Sequence, residues 1–193
     1  MNDEIIIEVN EVSKKYDDAT VLDNVSLEIE KGKIYGLVGR NGSGKTVLMK
    51  CICGLIKPTS GEVKVAGKTV GKDVDIPEDI GVIIETPGFI PNYSGFKNLK
   101  LLASVRNKIS NEEIRKSMKI VGLEPKSRKH VGKYSLGMRQ KLGIAQAIME
   151  KPKILILDEP MNGLDNESVA VVRKILKEQA ENGATIILAS HNR

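Results

Sequence analysis

Residues 39–46 constrain this chain of 193 residues more than any other segment, because they have the spacing G-x-x-x-x-G-K-T. An apolar run at residues 34–38 precedes them, and a helix is predicted after Gly44. Glycines let the backbone curl so that successive N–H groups face inward, and the positive end of the helix dipole adds to this anion site. We therefore predict a phosphate-binding loop, in which Lys45 lies against the β- and γ-phosphates of a nucleotide and the Thr46 hydroxyl ligates Mg²⁺. Its predicted nucleotide-binding residues are Gly39, Arg40, Asn41, Gly42, Ser43, Gly44, Lys45 and Thr46.

Two acidic residues, Asp158 and Glu159, directly follow an apolar run at residues 154–157. Ligands bind at the carboxyl ends of strands in open α/β sheets, so both acids are predicted to lie at the site. Adjacent residues on a strand point to opposite faces, and the two carboxylates are therefore expected to take different roles. We predict that Asp158 holds the magnesium shell through water and that Glu159 polarises the attacking water. Without a phosphate loop elsewhere in the chain, an acidic turn before Pro160 would be the better interpretation.

The distribution of apolar runs predicts an α/β fold with a mostly parallel central sheet and crossover helices. Strands are predicted at residues 5–9, 34–38, 80–84, 154–157 and 185–188, and helices after Gly44 and at residues 111–121, 136–149 and 167–179. Residues 21–29 and 62–70, punctuated by glycines, predict an antiparallel β subdomain at an edge. Residues 87 to about 150 are expected to form a small inserted helical lobe, and residues 1–193 a single domain.

Composition excludes several classes of protein. No apolar run reaches the roughly 18 residues of a membrane span, and the first residues lack the pattern of a signal peptide, so we expect a cytoplasmic domain. The net charge of +5 comes from dispersed basic residues, aromatic residues make up only 3% and Trp is absent, so no nucleic-acid partner is expected. Cys51 and Cys53 are two residues apart in a predicted helix, a spacing that favours packing over a disulfide or a metal site.

A guanine-binding site of the N-K-x-D type is absent from the sequence. The Asn-Lys pair at Asn107 and Lys108 is followed by Ser110 where aspartate would be required. A GTPase of the Ras type is therefore excluded.

Residues 134–138, Tyr-Ser-Leu-Gly-Met, lie between the phosphate loop and Asp158, where the ATP-binding cassette family carries LSGGQ. With the motifs above, nearly the whole chain resembles the nucleotide-binding domain of that family, a P-loop NTPase. The resemblance implies Mg²⁺-dependent hydrolysis of ATP to ADP and phosphate. It also implies a head-to-tail homodimer in the ATP-bound state, in which Ser135 and Gly137 of one copy meet the γ-phosphate held by the other. Ser135 on its own is a typical helix N-cap.

The same resemblance suggests roles for three further residues. Tyr16 is similar to the aromatic residue that stacks on adenine, and Asp165 to a residue of the loop that carries signals between the two sites. His191 is similar to the switch histidine that contacts the γ-phosphate and helps to position Glu159 and water. Taken alone, Tyr16 could equally be a packed surface ring, and His191 a solvated residue near a chain end.

Several residues depart from the family pattern and indicate a subgroup of the family. Glu85 replaces a glutamine and is expected to ligate Mg²⁺, although it adds negative charge beside a polyphosphate. Leu136 and Met138 replace a glycine and a glutamine of the signature. These residues resemble the subgroup that exports bacitracin or protects against lantibiotic peptides. Family domains continue beyond the switch histidine, so a chain ending at Arg193 is expected to be truncated and less stable than a longer one.

The resemblance thus implies an ATPase subunit of an exporter, bound to an integral-membrane permease at the cytoplasmic face of the membrane. Residues 89–96 in the helical lobe are the expected surface for the permease, because loops on a rigid scaffold often carry recognition. Two alternatives remain open at this point. One is a cassette ATPase that acts on a soluble complex such as the ribosome, and the other is a nucleotide-dependent sensor with weak hydrolysis, which Glu85 and Leu136 favour.

Overall fold

The computed structural model describes residues 4–190, which form eight strands and five α-helices. The strands are β1 (Ile5–Tyr16), β2 (Ala19–Glu30), β3 (Ile34–Val38), β4 (Ser60–Val65), β5 (Lys68–Thr69), β6 (Ile80–Ile83), β7 (Ile154–Asp158) and β8 (Thr185–Ser190). The helices are α1 (Lys45–Ile52), α2 (Gly95–Arg106), α3 (Asn111–Ile120), α4 (Leu136–Ile148) and α5 (Asn166–Glu181). A short 3₁₀ turn, Val131–Lys133, precedes α4.

A parallel sheet of strand order β3-β8-β7-β6 lies at the centre. In its register Val38 pairs with Ser190, and Asp158 pairs with Ala189. The carboxyl ends of β3, β8 and β7 therefore meet at one edge of the sheet. This arrangement brings the segment after β3 and the acidic residues at the end of β7 to the same place, as predicted for an α/β fold.

Each face of the parallel sheet packs against a different layer. On one face, Leu155, Leu157 and Ile186 belong to a core shared with α2, α3, α4 and α5. On the other face, Ile156 and Ile187 belong to a core shared with α1 and the antiparallel strands. The alternation follows from the two-residue period of a strand, and it explains why β7 is apolar at four successive positions and buried throughout.

The second sheet is antiparallel, with strand order β2-β1-β4-β5, and confirms the predicted edge subdomain. The prediction for residues 5–9 was wrong in two respects, because β1 extends to Tyr16 and belongs to this sheet rather than to the parallel one. Its second half is polar and forms a hairpin with β2, which apolar runs alone do not reveal. Residues 62–70 comprise two strands joined by a turn in which Ala66 and Gly67 have φ of +50° and +76°.

Three helices, α2, α3 and α4, form the predicted helical lobe. The observed bounds of α3, α4 and α5 agree with the predicted segments to within two residues. The sequence predicted no separate helix at residues 95–106, where α2 forms with Ser94 as its N-cap. Among residues 4–190, no helix is both long and apolar enough to cross a bilayer.

Candidate active site

The loop at residues 39–44 joins β3 to α1 and requires glycine at its end. Gly44 has φ of +88°, a left-handed conformation that side chains rarely adopt. A Cβ atom there would lie 2.8 Å from the carbonyl oxygen of Val21, so space as well as conformation excludes a larger residue. Gly42 is also left-handed, with φ of +79°. The loop therefore bends sharply into α1.

The first residue of α1, Lys45, folds back across this loop. Its Nζ donates hydrogen bonds to the carbonyl oxygens of Gly39 at 2.6 Å and Arg40 at 3.0 Å. Among the residues that the structure describes, no side chain caps the start of α1. The N–H groups of its first turn are thus left for an anion, and the ammonium group lies beside them.

An open cleft of about 330 Å³ lies over the loop, which supplies most of its walls. Val21, from β2, forms another part of its wall, and Asp158 and Glu159 come from the end of β7. The loop residues that line it are Asn41, Gly42, Ser43, Gly44, Lys45, Thr46 and Val47. The structure therefore brings the predicted phosphate loop and the predicted acidic pair together.

Thr46 and Asp158 are in direct contact. The Thr46 hydroxyl donates a hydrogen bond to Oδ2 of Asp158 at 2.6 Å, and Asp158 is only 7% exposed. A hydroxyl and a carboxylate are oxygen ligands of the type that Mg²⁺ prefers. Mg²⁺ commonly takes one or two carboxylates together with substrate phosphates and water, so these two residues beside an anion-binding loop fit this ion. Within residues 4–190, no group of three or more His, Cys, Asp or Glu residues is arranged to hold a metal without ligands from substrate phosphates and water.

Glu159 lies beyond the end of β7 and has left the strand conformation, with φ of +48°. Its N–H donates to the carbonyl of Ala189, and its own carbonyl accepts from Gln140 Nε2 and from the N–H of Asn162. The prediction that the two acids point to opposite faces of a strand was therefore wrong, because only Asp158 is on the strand. Both acids line the same cleft.

Glu85 is held by a basic residue that the sequence reasoning missed. Its Oε1 accepts a hydrogen bond from Lys50 Nζ at 2.7 Å, in a pair whose side chains are 63% and 22% exposed. Lys50 lies on α1 four residues after Thr46, and residues at this spacing share a face of the helix. Glu85 is thus near the side of α1 that carries Thr46, but it does not line the cleft. The spacing from Thr46 was the available signal for Lys50.

Ser135 precedes helix α4, and its hydroxyl accepts a hydrogen bond from the N–H of Met138 at 3.2 Å. The predicted N-cap is therefore present. Ser135 is exposed and does not line the cleft of its own chain, and the same is true of Leu136, which is 58% exposed. Gly137 packs closely, since a Cβ atom there would lie 3.1 Å from the carbonyl oxygen of Gly163.

Two of the remaining predicted site residues, Tyr16 and Asp165, do not line the cleft. Tyr16 is 43% exposed at the end of β1, with the ammonium group of Lys14 5.0 Å from the centre of its ring. Asp165 is the N-cap of α5, and the hydrogen bond that it accepts from the N–H of Ser168 lowers the pKa of its carboxyl group. His191 lies outside residues 4–190, which the structure describes.

Comparisons with known proteins agree with this geometry. The sequence profile of the family described as ABC transporter matches residues 22–162. The bacitracin transport ATP-binding protein BcrA of Enterococcus faecalis is 45% identical over 97% of this chain and 62% of its own length. The lantibiotic transport ATP-binding protein SrtF of Streptococcus pyogenes is 38% identical over 96% of this chain and 80% of its own length. The dimeric structure of MJ0796, a bacterial ABC transporter cassette, superposes with a TM-score of 0.87 at 25% identity over 97% of this chain and 88% of that one.

A phosphate loop at the edge of a parallel sheet, with a threonine hydrogen-bonded to the aspartate that ends another strand of that sheet, defines a P-loop nucleotide-binding domain. The family profile matches most of the chain, and this match identifies the family within the P-loop class. The chain belongs to the ABC transporter family. The predicted P-loop fold, the ABC-type ATPase subunit with ATP as its nucleotide, and the bacitracin and lantibiotic subgroup are confirmed by these similarities. The chain spans about three fifths of the length of BcrA.

Proposed function

We propose that the chain is the Mg²⁺-ATP-hydrolysing subunit of an exporter of peptide antibiotics. It works as a homodimer bound to an integral-membrane permease at the cytoplasmic face of the membrane. The contact between Thr46 and Asp158 beneath the phosphate loop is the observation that carries the proposal. The names of BcrA and SrtF, which belong to bacitracin and lantibiotic transport, support the peptide substrate class.

Nucleotide binding begins at the loop. The phosphates take the place of the carbonyl oxygens to which Lys45 now donates, and the N–H groups at the start of α1 complete the anion site. Arg40, Asn41 and the rest of residues 39–46 surround the phosphate chain, and Tyr16 offers its exposed ring to the adenine. Because these groups are fixed by the fold, the loop is preorganised for triphosphate.

Hydrolysis depends on positioning and charge. Thr46 and Asp158, with Glu85 as a further oxygen ligand, would hold Mg²⁺, and the bound ion would supply positive charge against the negative charge that develops on the phosphates. Glu159 lines the same cleft and acts as the general base that orients and deprotonates the attacking water. His191 is proposed to contact the γ-phosphate and to position Glu159 relative to it. Each of these groups serves the site formed by its own chain.

The second half of each site comes from the partner copy. Ser135 lies at the start of α4, is exposed and does not line the cleft of its own chain. The positive end of α4, with the N–H of Gly137 and the Ser135 hydroxyl, is therefore free to meet a phosphate on another molecule. Asp165, at the start of α5, lies in the segment that would contact the partner near this junction. The dimeric form of MJ0796 supports such an arrangement.

The helical lobe offers an apolar surface to the permease. In the expected segment 89–96, Ile90 is 40% exposed, while Phe89 and Phe96 pack against the lobe core. Val105 on α2 is 82% exposed and Leu101 is 49% exposed. Exposed aliphatic residues close together on one lobe are typical of a protein interface.

Co-expression with the transporter's membrane subunit tests the proposal. The wild-type chain should co-purify with a multi-span membrane protein and should hydrolyse ATP when Mg²⁺ is present. Lys45→Ala should lose ATP binding, whereas Lys126→Ala, which changes an exposed lysine in the α3–α4 loop, should not. Co-sedimentation with ribosomes instead of membranes would overturn the transporter assignment.

A weakly hydrolysing sensor is a second candidate, which the pairing of Glu85 with Lys50 favours. A carboxylate engaged by a lysine is less available to a metal than a free amide would be. Turnover measured with and without the permease separates the two functions. An exporter subunit should be stimulated by its permease, and a sensor should remain slow in both conditions.

A further inference from the structure

The backbone of Glu159 is held in a conformation that its sequence disfavours. Its φ is +48°, and it precedes Pro160, although residues before proline are normally extended. Three hydrogen bonds hold it there. Its N–H donates to the carbonyl of Ala189 at 3.1 Å, and its carbonyl accepts from the N–H of Asn162 at 3.1 Å and from Nε2 of Gln140 at 3.1 Å. Only the last of these comes from a side chain.

Gln140 places a polar amide at a buried position of α4. It is 7% exposed, and the residues of the next turn, Leu142, Ile144 and Ala145, are apolar and buried. A buried amide is unfavourable unless it forms hydrogen bonds, so its bond to the Glu159 carbonyl offsets the cost of placing it here. Methionine would fill the same space without that requirement.

The first turn of α4 contacts the same segment at a second point. A Cβ atom on Gly163 would lie 2.5 Å from the Leu136 side chain, and one on Gly137 would lie 3.1 Å from the Gly163 carbonyl. The segment 159–163 is thus attached to α4 at both of its ends, by the amide bond at Glu159 and by packing at Gly163. The backbone of Glu159 is therefore tied to the position of α4.

We propose that Gln140 is a positioning residue for hydrolysis: its amide fixes the backbone of Glu159, and hence the direction of the carboxylate, relative to α4. The proposal rests on the proposed function, because it concerns the step for which Glu159 is the base. Gln140 does not line the cleft over the phosphate loop. Its effect is therefore expected on the turnover number and not on ATP affinity.

The test compares identical substitutions at two glutamines of α4. Gln140→Met removes the donor and keeps the volume, while Gln146→Met makes the same change at a partly exposed position of the same helix that lines a separate surface cleft. Gln140→Glu provides a second variant of nearly unchanged shape that cannot donate when ionised. For each variant, kcat, the Kd for a fluorescent ATP analogue and the thermal midpoint are measured.

Gln140→Met and Gln140→Glu should lower kcat by about 10- to 100-fold, with the Kd within about twofold of wild type. Gln146→Met should leave both unchanged. Because Gln140 acts only through Glu159, combining Gln140→Met with Glu159→Gln should be no slower than Glu159→Gln alone. A double variant whose losses multiply, or a Gln140→Met variant with wild-type kcat, would overturn the proposal.

A second readout does not depend on activity. Hydrogen exchange of a peptide spanning residues 158–166 in the nucleotide-free protein should be faster in Gln140→Met than in Gln146→Met, since the Asn162 N–H donates to the same carbonyl. Equal exchange in the two variants would reject the proposed restraint. If the wild-type protein hydrolyses no ATP while exchange still differs, the proposed function fails and the restraint stands. If the wild type is active and the Gln140 variants match it, only the positioning role fails.

Discussion

The Thr46 hydroxyl and the Asp158 carboxylate are 112 residues apart in sequence and 2.6 Å apart in the structure. Two strands, β3 and β7, bring them together, with β8 between. Asp158 ends β7 directly before Glu159, so the same strand order brings the candidate base beside the loop. The geometry of the candidate site is therefore a consequence of the order of the parallel strands.

Glu159→Gln should slow ATP turnover by about 10²- to 10⁴-fold, because the amide cannot accept a proton from water. Glutamine has nearly the same shape and leaves the backbone hydrogen bonds of Glu159 in place, so folding and ATP binding should be unchanged. Single-turnover hydrolysis and the Kd for a fluorescent ATP analogue provide the measurement. Turnover equal to wild type would reject the role of general base.

The pair formed by Lys50 and Glu85 should affect nucleotide binding more than stability. Both groups are partly exposed, so the pair contributes roughly 0.2–1 kcal/mol at most to the free energy of unfolding. Lys50→Met leaves the Glu85 carboxylate uncompensated near the phosphates, and ATP binding measured in EDTA should weaken by roughly threefold to tenfold. Adding Glu85→Gln to this variant should restore the affinity. If the double variant binds as weakly as Lys50→Met, the carboxylate is not responsible.

Cys51 and Cys53 should be nearly inert in the folded protein. Each is 1% exposed, burial raises the pKa of both thiols, and that of Cys53 rises to about 12. At pH 8 only about one Cys53 thiol in 10⁴ is therefore ionised, and the thiolate is the reactive species. Alkylation by iodoacetamide should be far slower in the native protein than in the same protein in denaturant. Equal rates in the two conditions would show that the cysteines are accessible.

Asp165 should make the stability of α5 dependent on pH. The N–H of Ser168 holds the pKa of its carboxyl group below the ordinary value of 3.8, so the stabilisation is complete above that pH and is lost as the pH falls through the lowered pKa. The thermal midpoint of the wild type should exceed that of Asp165→Asn at neutral pH, and the difference should shrink below about pH 3.8. Asp18→Asn, in the exposed turn after β1, serves as the control. A difference that is independent of pH would contradict this role for the charge.

Local signals were sufficient for much of the site. The glycine spacing of residues 39–46 and the two acids after an apolar run identified the cleft, because both depend on short-range sequence and on the parallel order of strands. The N-cap at Ser135 was predictable for the same reason.

Features that depend on distant partners were not predictable. The polar second half of β1 gives no apolar signal, and its pairing with β2 and β4 is set by the tertiary fold. The left-handed backbone of Glu159 is likewise maintained by Gln140 and Ala189, which come from other elements. The spacing of Lys50 from Thr46 places both on one face of α1, but its pairing with Glu85 depends on the tertiary fold.

The rate of ATP hydrolysis per molecule, measured over a wide range of protein concentrations, tests the composite site most directly. If Ser135 of one copy completes the site that holds Lys45 and Glu159 of the other, the rate per molecule should fall steeply once dilution separates the dimers. It should recover when the diluted protein is concentrated again. A rate per molecule that stays constant at concentrations where the protein is shown to be monomeric would contradict the shared site.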